Sequence, residues 1–415
     1  MPPPSTLSFP IAQVREQFPA LGRLHRQRPA AYFDGPGGTQ VAIGCIEAMT
    51  RYMRAGGANL HGRFPSSLET EAHLQDAREA MADLLNTAPG EIAFGANATT
   101  LAFAVARALG RDWRPGDEVV VTELDHRGNV DPWIAQARDQ GATVRWIPVD
   151  PGSCTLDLAD LEAIITPRTV LVAVGLASNA VGTINDVARI AARARAVDAL
   201  VAVDAVQAVP HLAVDRDALG ADLLLCSAYK FFGPHLGVLA IRAGLLDRLE
   251  AYKLLPAPAA GPGKLETGTQ NHEGLAGLKS AVEFIASLGT GATRRARIVS
   301  GYRRMEEHEH GLISRIQEGL AALPGITLYT APAGAAKTPT IAFTLAGVAP
   351  EEVCQRLLDE QSVFVASGDF YATTLADKQG VNPAGWVRAG LSPYNTEEEA
   401  GRFLAGMAAM TSGRN

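Results

Sequence analysis

Cysteine is scarce. The 415 residues hold four, Cys45, Cys154, Cys226 and Cys354, all widely separated. No Cys-x-x-Cys spacing is present to build a metal site, and a disulfide framework is not expected at this density. A reducing, cytoplasmic setting follows, with no metal. Positive charge is not in excess: 37 Lys and Arg face 44 Asp and Glu, a net charge of −7. That balance offers no electrostatic footprint for nucleic acid or an anionic membrane. No apolar run approaches the length that crosses a bilayer. Met1-Pro-Pro-Pro-Ser5 has no basic region followed by an apolar core, so no secretory leader is expected. Repeats at solenoid periods are absent. No Gly-x-Gly-x-x-Gly follows the first strand, which disfavours a nicotinamide Rossmann enzyme. The glycine-rich turn 35–38 lacks the Lys-Ser/Thr of a P-loop.

What is present is an ordinary globular composition, 47% hydrophobic and 20% charged. The length favours two domains. Residues 1–30 read as a polar, proline-marked arm with one short helix over 11–18. A helix over 41–54 and a polar segment over 56–67 follow. From Glu91 the chain alternates. Short apolar runs over 92–95, 118–122, 144–149, 170–174, 200–204, 223–226 and 238–241 have the size of buried strands. Helices are expected between several of them, over 101–109, 158–165 and 186–199. Strands separated by helices imply a mainly parallel sheet covered on both faces, an α/β fold. Helices over 273–288 and 296–323 lead to a smaller α+β unit, with strands over 326–329, 339–345, 363–366 and 387–391 and a last helix over 396–410.

The most informative stretch is Asp222 to Gly237. A buried strand stops at Ser227-Ala-Tyr-Lys230, and Phe231-Phe-Gly-Pro234 follows, which continues neither strand nor helix. A lysine at the end of a buried strand is easily desolvated, which lowers its pKa and frees a nucleophilic amine. Taken alone, a surface lysine in a loop is the better explanation, because lysine is usually exposed. The preceding strand changes the balance, because it ends in Asp204 with Gln207 three residues on. An aspartate and a lysine at successive strand ends are what a pyridoxal phosphate site needs. The lysine forms the Schiff base, and the carboxylate pairs with the pyridinium nitrogen.

Further segments fit that site. Asn97-Ala-Thr-Thr100 opens an alanine-rich helix, whose N-terminus favours an anion; a plain N-cap is the simpler alternative. His126 ends one strand region, and Ser178-Asn179 ends another. Arg388, flanked by apolar residues, offers a bidentate fork to a carboxylate.

The ordered set of motifs, from Tyr32-Phe-Asp-Gly35 through Asn59-Leu-His-Gly-Arg63, Phe94 to Thr100, Asp125-His126, Ser178 to Gly182, Val203 to Gln207, Ser227 to Lys230, Glu266 to Gln270 and Val387 to Ser392, resembles fold-type I pyridoxal phosphate enzymes of the class V aminotransferase group. It is most similar to their cysteine desulfurase-like branch, over roughly 32–401. The resemblance implies a seven-stranded-type sheet sandwiched by helices. It implies an arm at 1–30 packing on the small domain, a large cofactor domain at 31–290 and a small domain at 291–415.

The resemblance also implies roles. Lys230 carries the cofactor and moves the α-proton, Asp204 holds the ring nitrogen, and His126 stacks on the ring. Ala98, Thr99, Thr100, Ser227 and Tyr229 hold the phosphate. Asn179 and Gln207 tune the phenolic side. Arg388 clamps the α-carboxylate of an L-amino acid, and Asn59, His61 and Arg63 lie at the mouth. Thr269 completes the phosphate site of a partner subunit, making a homodimer.

Two positions depart from cysteine desulfurases. Tyr371, in the segment 367–374, stands where their nucleophilic cysteine lies, and tyrosine accepts no persulfide. Tyr229 stands where they commonly carry histidine. The expected activity is a C–S lyase working by β-elimination without persulfide transfer. Transamination, epimerisation or decarboxylative C–C chemistry is the alternative on the same site. A catalytically silent sulfur-trafficking partner is the alternative outside enzymes.

Overall fold

The seven apolar runs form one sheet: β1 Ile92–Gly95, β2 Glu118–Thr122, β3 Thr143–Ile147, β4 Thr169–Gly175, β5 Leu200–Asp204, β6 Leu223–Ser227 and β7 Gly237–Ile241. The computed structural model describes residues 9–412, so the first eight residues of the expected arm and the last three of the chain lie outside it. The strand order is β1-β7-β6-β5-β4-β2-β3. Strands β2 to β6 pair in parallel. Strand β7 is antiparallel to both β6 and β1. The reason is its short connection to β6, residues 228–236, since a parallel return needs a crossover of about a dozen residues or more. That same short connection carries Lys230.

Buried on both faces, the central strands read as continuous apolar runs. Val119, Val120 and Val121 are all fully buried. One face of the sheet joins a core with Val203, Leu224 and Val238; the other face joins one with Ala202, Leu223 and Leu239.

Flanking helices include α1 Ile43–Ala55, α2 Pro65–Leu85, α3 Ala98–Leu109, α4 His272–Ser287 and α5 Arg294–Ala321. Helix α2 is missing from the sequence reading, which stops at a polar segment. Its buried face holds alanine and serine beside Leu74, Met81, Leu84 and Leu85, so its apolar stripe is faint. Pro65 at its first turn and Asn86 in the left-handed region at its end are its clearest signals.

Other boundaries move for identifiable reasons. The strand expected over 144–149 breaks at Pro148, which has no N–H to give a ladder; Val149–Asp150 instead pairs with Thr155–Leu156. The helix expected over 158–165 shrinks to Leu161–Ile164, since Thr166 precedes a proline and is pushed out of the helical region. The strand expected over 363–366 is two: Val363–Phe364 pairs in parallel with Ala31–Tyr32, and Ala366–Gly368 joins another sheet.

That other sheet has strands β8 Ile326–Tyr329, β9 Thr340–Leu345, β10 Ala366–Gly368 and β11 Trp386–Gly390. All are antiparallel, in the order β8-β9-β11-β10. Helix α5 bridges two cores. Ile298, Tyr302 and Met305 belong with the large sheet, while Leu312, Ile316 and Leu320 pack with Phe343, Val387 and Phe403. The segment 9–30 touches both sides. Val14, Phe18 and Leu21 enter the large core, and Arg15 bonds the Tyr394 carbonyl and Glu399.

Candidate active site

The carboxyl ends of parallel strands are where a doubly wound sheet leaves a crevice. Here β4, β5 and β6 end at Gly175, Asp204 and Ser227, beside the start of α3. A cavity of about 780 Å³ opens at that place, and Lys230, Asp204, His126, Asn179, Gln207, Thr99 and Arg388 line it together. Its size is ordinary for a small-molecule site.

Lys230 follows β6 in one tight turn, Ala228–Lys230, after which Phe232 adopts φ +70°. The side chain is 9% exposed, and Nζ donates to the Pro36 carbonyl. Burial, then the neighbouring Arg388 charge, pulls its amine down to about 8, against the attraction of Asp34 and Asp204. An amine near 8 has an appreciable neutral fraction at ordinary pH, far more than an ordinary lysine, so it is available as a nucleophile or proton acceptor.

Asp204 Oδ1 accepts from the Val206 N–H at 2.8 Å. Burial raises its carboxyl to about 6, with the Val206 hydrogen bond and the Lys230 charge opposing. Behind it lies a second carboxylate, Asp125. Its Oδ2 accepts from Gly175 N–H at 2.7 Å and from Asn129 Nδ2 at 2.9 Å. Burial lifts Asp125 to about 7, and the Asp204 charge adds to the rise. A Cβ on Gly175 would come within 2.8 Å of Asp125 Oδ1, so this close approach requires glycine.

His126 accepts from the Gly128 N–H through Nδ1 at 2.9 Å, which places the proton of the neutral ring on Nε2. Burial, then Lys230 and Arg388, drives its pKa down to about 4. The imidazole is therefore neutral, suited to lie against an aromatic ring.

At the α3 start, Asn97 is the N-cap. Its side chain accepts from Thr100 N–H at 2.8 Å and from Thr100 Oγ1 at 2.9 Å. Ala98 N–H donates to Ser227 Oγ at 3.0 Å. The N-cap and the anion-favouring end thus coexist: two N–H groups are committed within the protein, and Thr99 lies between them on the cavity wall.

Arg388, on β11, is 4% exposed. Its guanidinium donates to the Asn179 carbonyl at 3.1 Å and pairs with Asp34 at 3.2 Å. The Phe370 ring sits 3.7 Å from its Cζ. Asn179 Nδ2 donates to the Phe370 carbonyl at 2.8 Å, which leaves its second N–H. Gln207 Nε2 donates to Thr340 Oγ1 at 3.3 Å. Phe370 and Tyr371 both adopt left-handed backbone, at φ +53° and +59°. The loop is tied down: Arg127 N–H donates to the Tyr371 carbonyl at 2.8 Å, and Asp369 accepts from Tyr371 N–H and Thr373 Oγ1.

Not every expected residue reaches the cavity. Asn59, His61, Arg63 and Thr269 are exposed and stand outside its lining in the single chain. Four contributors were not read from the sequence: Asp34, Pro36, Asp125 and Phe370. Asp34 lies in the Tyr32-Phe-Asp-Gly35 motif and Pro36 in the glycine-rich turn 35–38, but nothing local ties them to residues some 350 and 200 positions away. Asp125 precedes a named histidine and carried the one usable signal, a carboxylate at the end of a buried strand region.

The donor set fits pyridoxal phosphate. A carboxylate, a depressed lysine, a neutral histidine and a helix N-terminus face one cavity. The buried Asn179 Oδ1, Gln207 Oε1 and Arg388 Nε have no protein partner. Among the described residues, no group of three or more His, Cys, Asp or Glu is placed to hold a metal.

Comparison with known proteins places the chain in a family and agrees with its fold. The family described as aminotransferase class-V matches residues 31–403. A cysteine desulfurase of Serratia proteamaculans is 31% identical over 417 residues, covering 97% of this chain and 98% of that protein. An aminotransferase-like protein of Gibberella zeae is 31% identical over 413 residues, covering 97% and 99%. Among solved structures, a cysteine desulfurase from Thermococcus onnurineus superposes with a TM-score of 0.86 at 30% identity, covering 97% of this chain and 98% of that one. The chain belongs to the class-V aminotransferase family of pyridoxal phosphate-dependent enzymes, and to its cysteine desulfurase-like side.

Proposed function

We propose that this enzyme is a C–S lyase that acts on an L-α-amino acid bearing a sulfur substituent at the β-carbon, without passing sulfur to a protein cysteine. The observation that carries this is Tyr371. On the family resemblance it stands at the loop position of the desulfurase nucleophile, and that loop is pinned by hydrogen bonds at Phe370 and Tyr371. Among the residues lining the cavity none is cysteine. Cys226 is fully buried inside β6, and its thiol is held far above its usual range by burial.

Bound pyridoxal phosphate supplies an electron sink for the negative charge that develops at the substrate's α-carbon. Lys230 would carry the cofactor and then, as a free amine, take the α-proton. Asp204 would hold the ring nitrogen, with Asp125 as its buried neighbour. His126 would lie against the ring as a neutral imidazole. Asn179 and Gln207 would face the phenolic side, and Ala98, Thr99, Thr100, Ser227 and Tyr229 the phosphate. Arg388 would bind the α-carboxylate through its fork.

A homodimer with Thr269 given in trans is supported by the exposed position of that residue. Large apolar side chains nearby in sequence or on α1 and α2 are also exposed: Ile46, Met53, Phe64 and Leu68, with Tyr252, Leu254 and Leu255. The same arrangement would bring Asn59, His61 and Arg63 to a mouth shared between subunits. A division near residue 290 is supported by the separate cores on either half of α5. Four free cysteines are compatible with a reducing, cytoplasmic setting. Among the described residues no helix is long and apolar enough to cross a membrane.

Mass spectrometry of products tests the activity, using L-cysteine, S-substituted cysteines and a panel of other L-amino acids. Pyruvate, ammonia and a released thiol from an S-substituted cysteine, with one water consumed, are the expected result. Alanine and released sulfur from cysteine would mean that desulfuration needs no loop thiol. The second reading, transamination or related C–C chemistry, has one support: the relative in Gibberella zeae is named aminotransferase-like. A keto acid or decarboxylated product from a sulfur-free amino acid would favour it.

A further inference from the structure

His235 is the unexplained residue at this site. It lines the cavity, yet its side chain is exposed, so core packing does not account for its placement. Its ring lies on the ring of Tyr229, with centroids 4.8 Å apart and planes only 6° from parallel.

Tyr229 is held from other directions. Its carbonyl accepts from Thr39 N–H at 3.1 Å and Thr39 Oγ1 at 3.2 Å. Gly38 abuts its ring, where a Cβ would come within 3.2 Å of Cδ2. The Lys230 amine is 5.0 Å from the ring centroid. The ring is therefore a wall of the cavity, and His235 covers one of its faces.

The backbone explains how His235 arrives there. Gly233-Pro234 turns the chain after Lys230, and Gly237 then passes directly against Asn97, where a Cβ would lie 2.4 Å from the carbonyl carbon. Asn97 caps α3. The turn therefore delivers His235 to the same end of the cavity as Thr99, Thr100 and Ser227, where the helix terminus favours an anion.

We propose that His235 is a positioning residue for the cofactor's phosphate: its imidazole stacks on Tyr229 and fixes the phenol at the anion end of the site. The inference rests on the reading that this cavity holds pyridoxal phosphate. A phenol on a two-torsion side chain at a cavity edge has rotamers to lose, and a parallel ring removes that freedom before the ligand arrives. Histidine serves this end better than phenylalanine at an exposed place, because it stays hydrated at its edge while its face is covered.

The test is ligand binding, not turnover. Cofactor-free wild type, His235→Ala and His235→Phe are each titrated with pyridoxal phosphate and with pyridoxal, which lacks the phosphate. Uptake is followed by absorbance and protein fluorescence. From the usual strength of a ring stack, His235→Ala should weaken pyridoxal phosphate about fivefold to tenfold and leave pyridoxal within about twofold. His235→Phe keeps a ring and should return the phosphate ligand to within about twofold of wild type. Unchanged affinity in His235→Ala, equal loss for both ligands, or no recovery in His235→Phe would each overturn the assignment. A wild type that takes up neither ligand removes the cofactor reading itself. A wild type that takes up both, beside an indistinguishable His235→Ala, removes only the role of His235.

Discussion

Phe370 holds its ring 3.7 Å from Cζ of Arg388, so the guanidinium is stacked on one face while Asp34 takes its edge at 3.2 Å. The arginine is thus held in one orientation, and in its proposed role a substrate carboxylate would meet a guanidinium already fixed in place. Arg388→Lys keeps the charge but loses both the fork and the stacked plane. It should raise KM for the amino acid by about tenfold or more with a smaller effect on kcat, since a charge-assisted bidentate pair contributes on the order of 2 kcal/mol. Steady-state kinetics across substrate concentration checks this, and an unchanged KM removes the clamp.

In the proposed function, Lys230 is the residue on which the whole site depends. Lys230→Ala should abolish turnover, with at least about a thousandfold loss expected for a missing nucleophile and base. Borohydride treatment followed by protein mass spectrometry should add a cofactor mass to wild type and none to the variant. Because Lys230 is buried and its charge disfavoured, the variant should fold at least as stably as wild type without cofactor.

Asp204 makes a pH-dependent prediction. Its folded carboxyl sits at about 6, above the ordinary 3.8. Between those values the folded state binds more protons than the unfolded one, so stability falls as pH rises through that window. The penalty is complete above about 6 and absent below 3.8. Asp204→Asn removes the charge. Cofactor-free Asp204→Asn should therefore be more stable than wild type by about 1–2 kcal/mol at pH 7.5, with the advantage shrinking toward pH 4. The full shift is not recovered, because Lys230 loses a favourable neighbour. Thermal unfolding at both pH values measures it, and activity should fall even as stability rises.

The sequence was most legible where chain punctuation and chemistry coincide. Lys230 and Asp204 each end an apolar run, so period and composition alone marked both. His126 and Asn179 also follow strand ends, but their expected roles came from the family resemblance and not from the pattern alone. Asp34, Pro36 and Phe370 were not marked, because each acts by meeting a residue far along the chain: Pro36 receives the Lys230 amine, and Asp34 and Phe370 hold Arg388. No local pattern encodes such closure. Helix α2 was passed over because alanine and serine cover much of its buried face. The antiparallel course of β7 was implicit in the shortness of the connection 228–236.

The loop at Tyr371 tests the proposed absence of persulfide transfer. If residue identity alone decides, Tyr371→Cys should confer persulfide formation. The pinned backbone argues otherwise: Asn179 and Arg127 hold the Phe370 and Tyr371 carbonyls, and both residues are left-handed. A thiol placed there cannot swing between substrate and acceptor. Tyr371→Cys, incubated with L-cysteine and then alkylated, should show no persulfide mass at residue 371. A labelled persulfide at that position would mean that the loop moves on the timescale of turnover.

Gly237 tests the architecture under the phosphate end. A methyl group there would fall 2.4 Å from the Asn97 carbonyl carbon, 2.6 Å from its oxygen and 2.7 Å from its Cα. All three are backbone atoms, so no side chain can turn aside, and either β7 or the start of α3 must shift. Overpacking of this kind costs about 1–3 kcal/mol. Gly237→Ala should lower the thermal midpoint and also weaken pyridoxal phosphate, because the displaced element is the one that presents Thr99 and Thr100. Gly244→Ala is the matched control: it lies in the helix Ala243–Arg248, with nothing within 4 Å of the added carbon. Helix propensity predicts that this control is neutral or stabilising by up to about 1 kcal/mol. Calorimetry and cofactor titration on both variants separate a local clash at the α3 terminus from a general intolerance of alanine for glycine; equal behaviour of the two would remove the close approach from the account of the site.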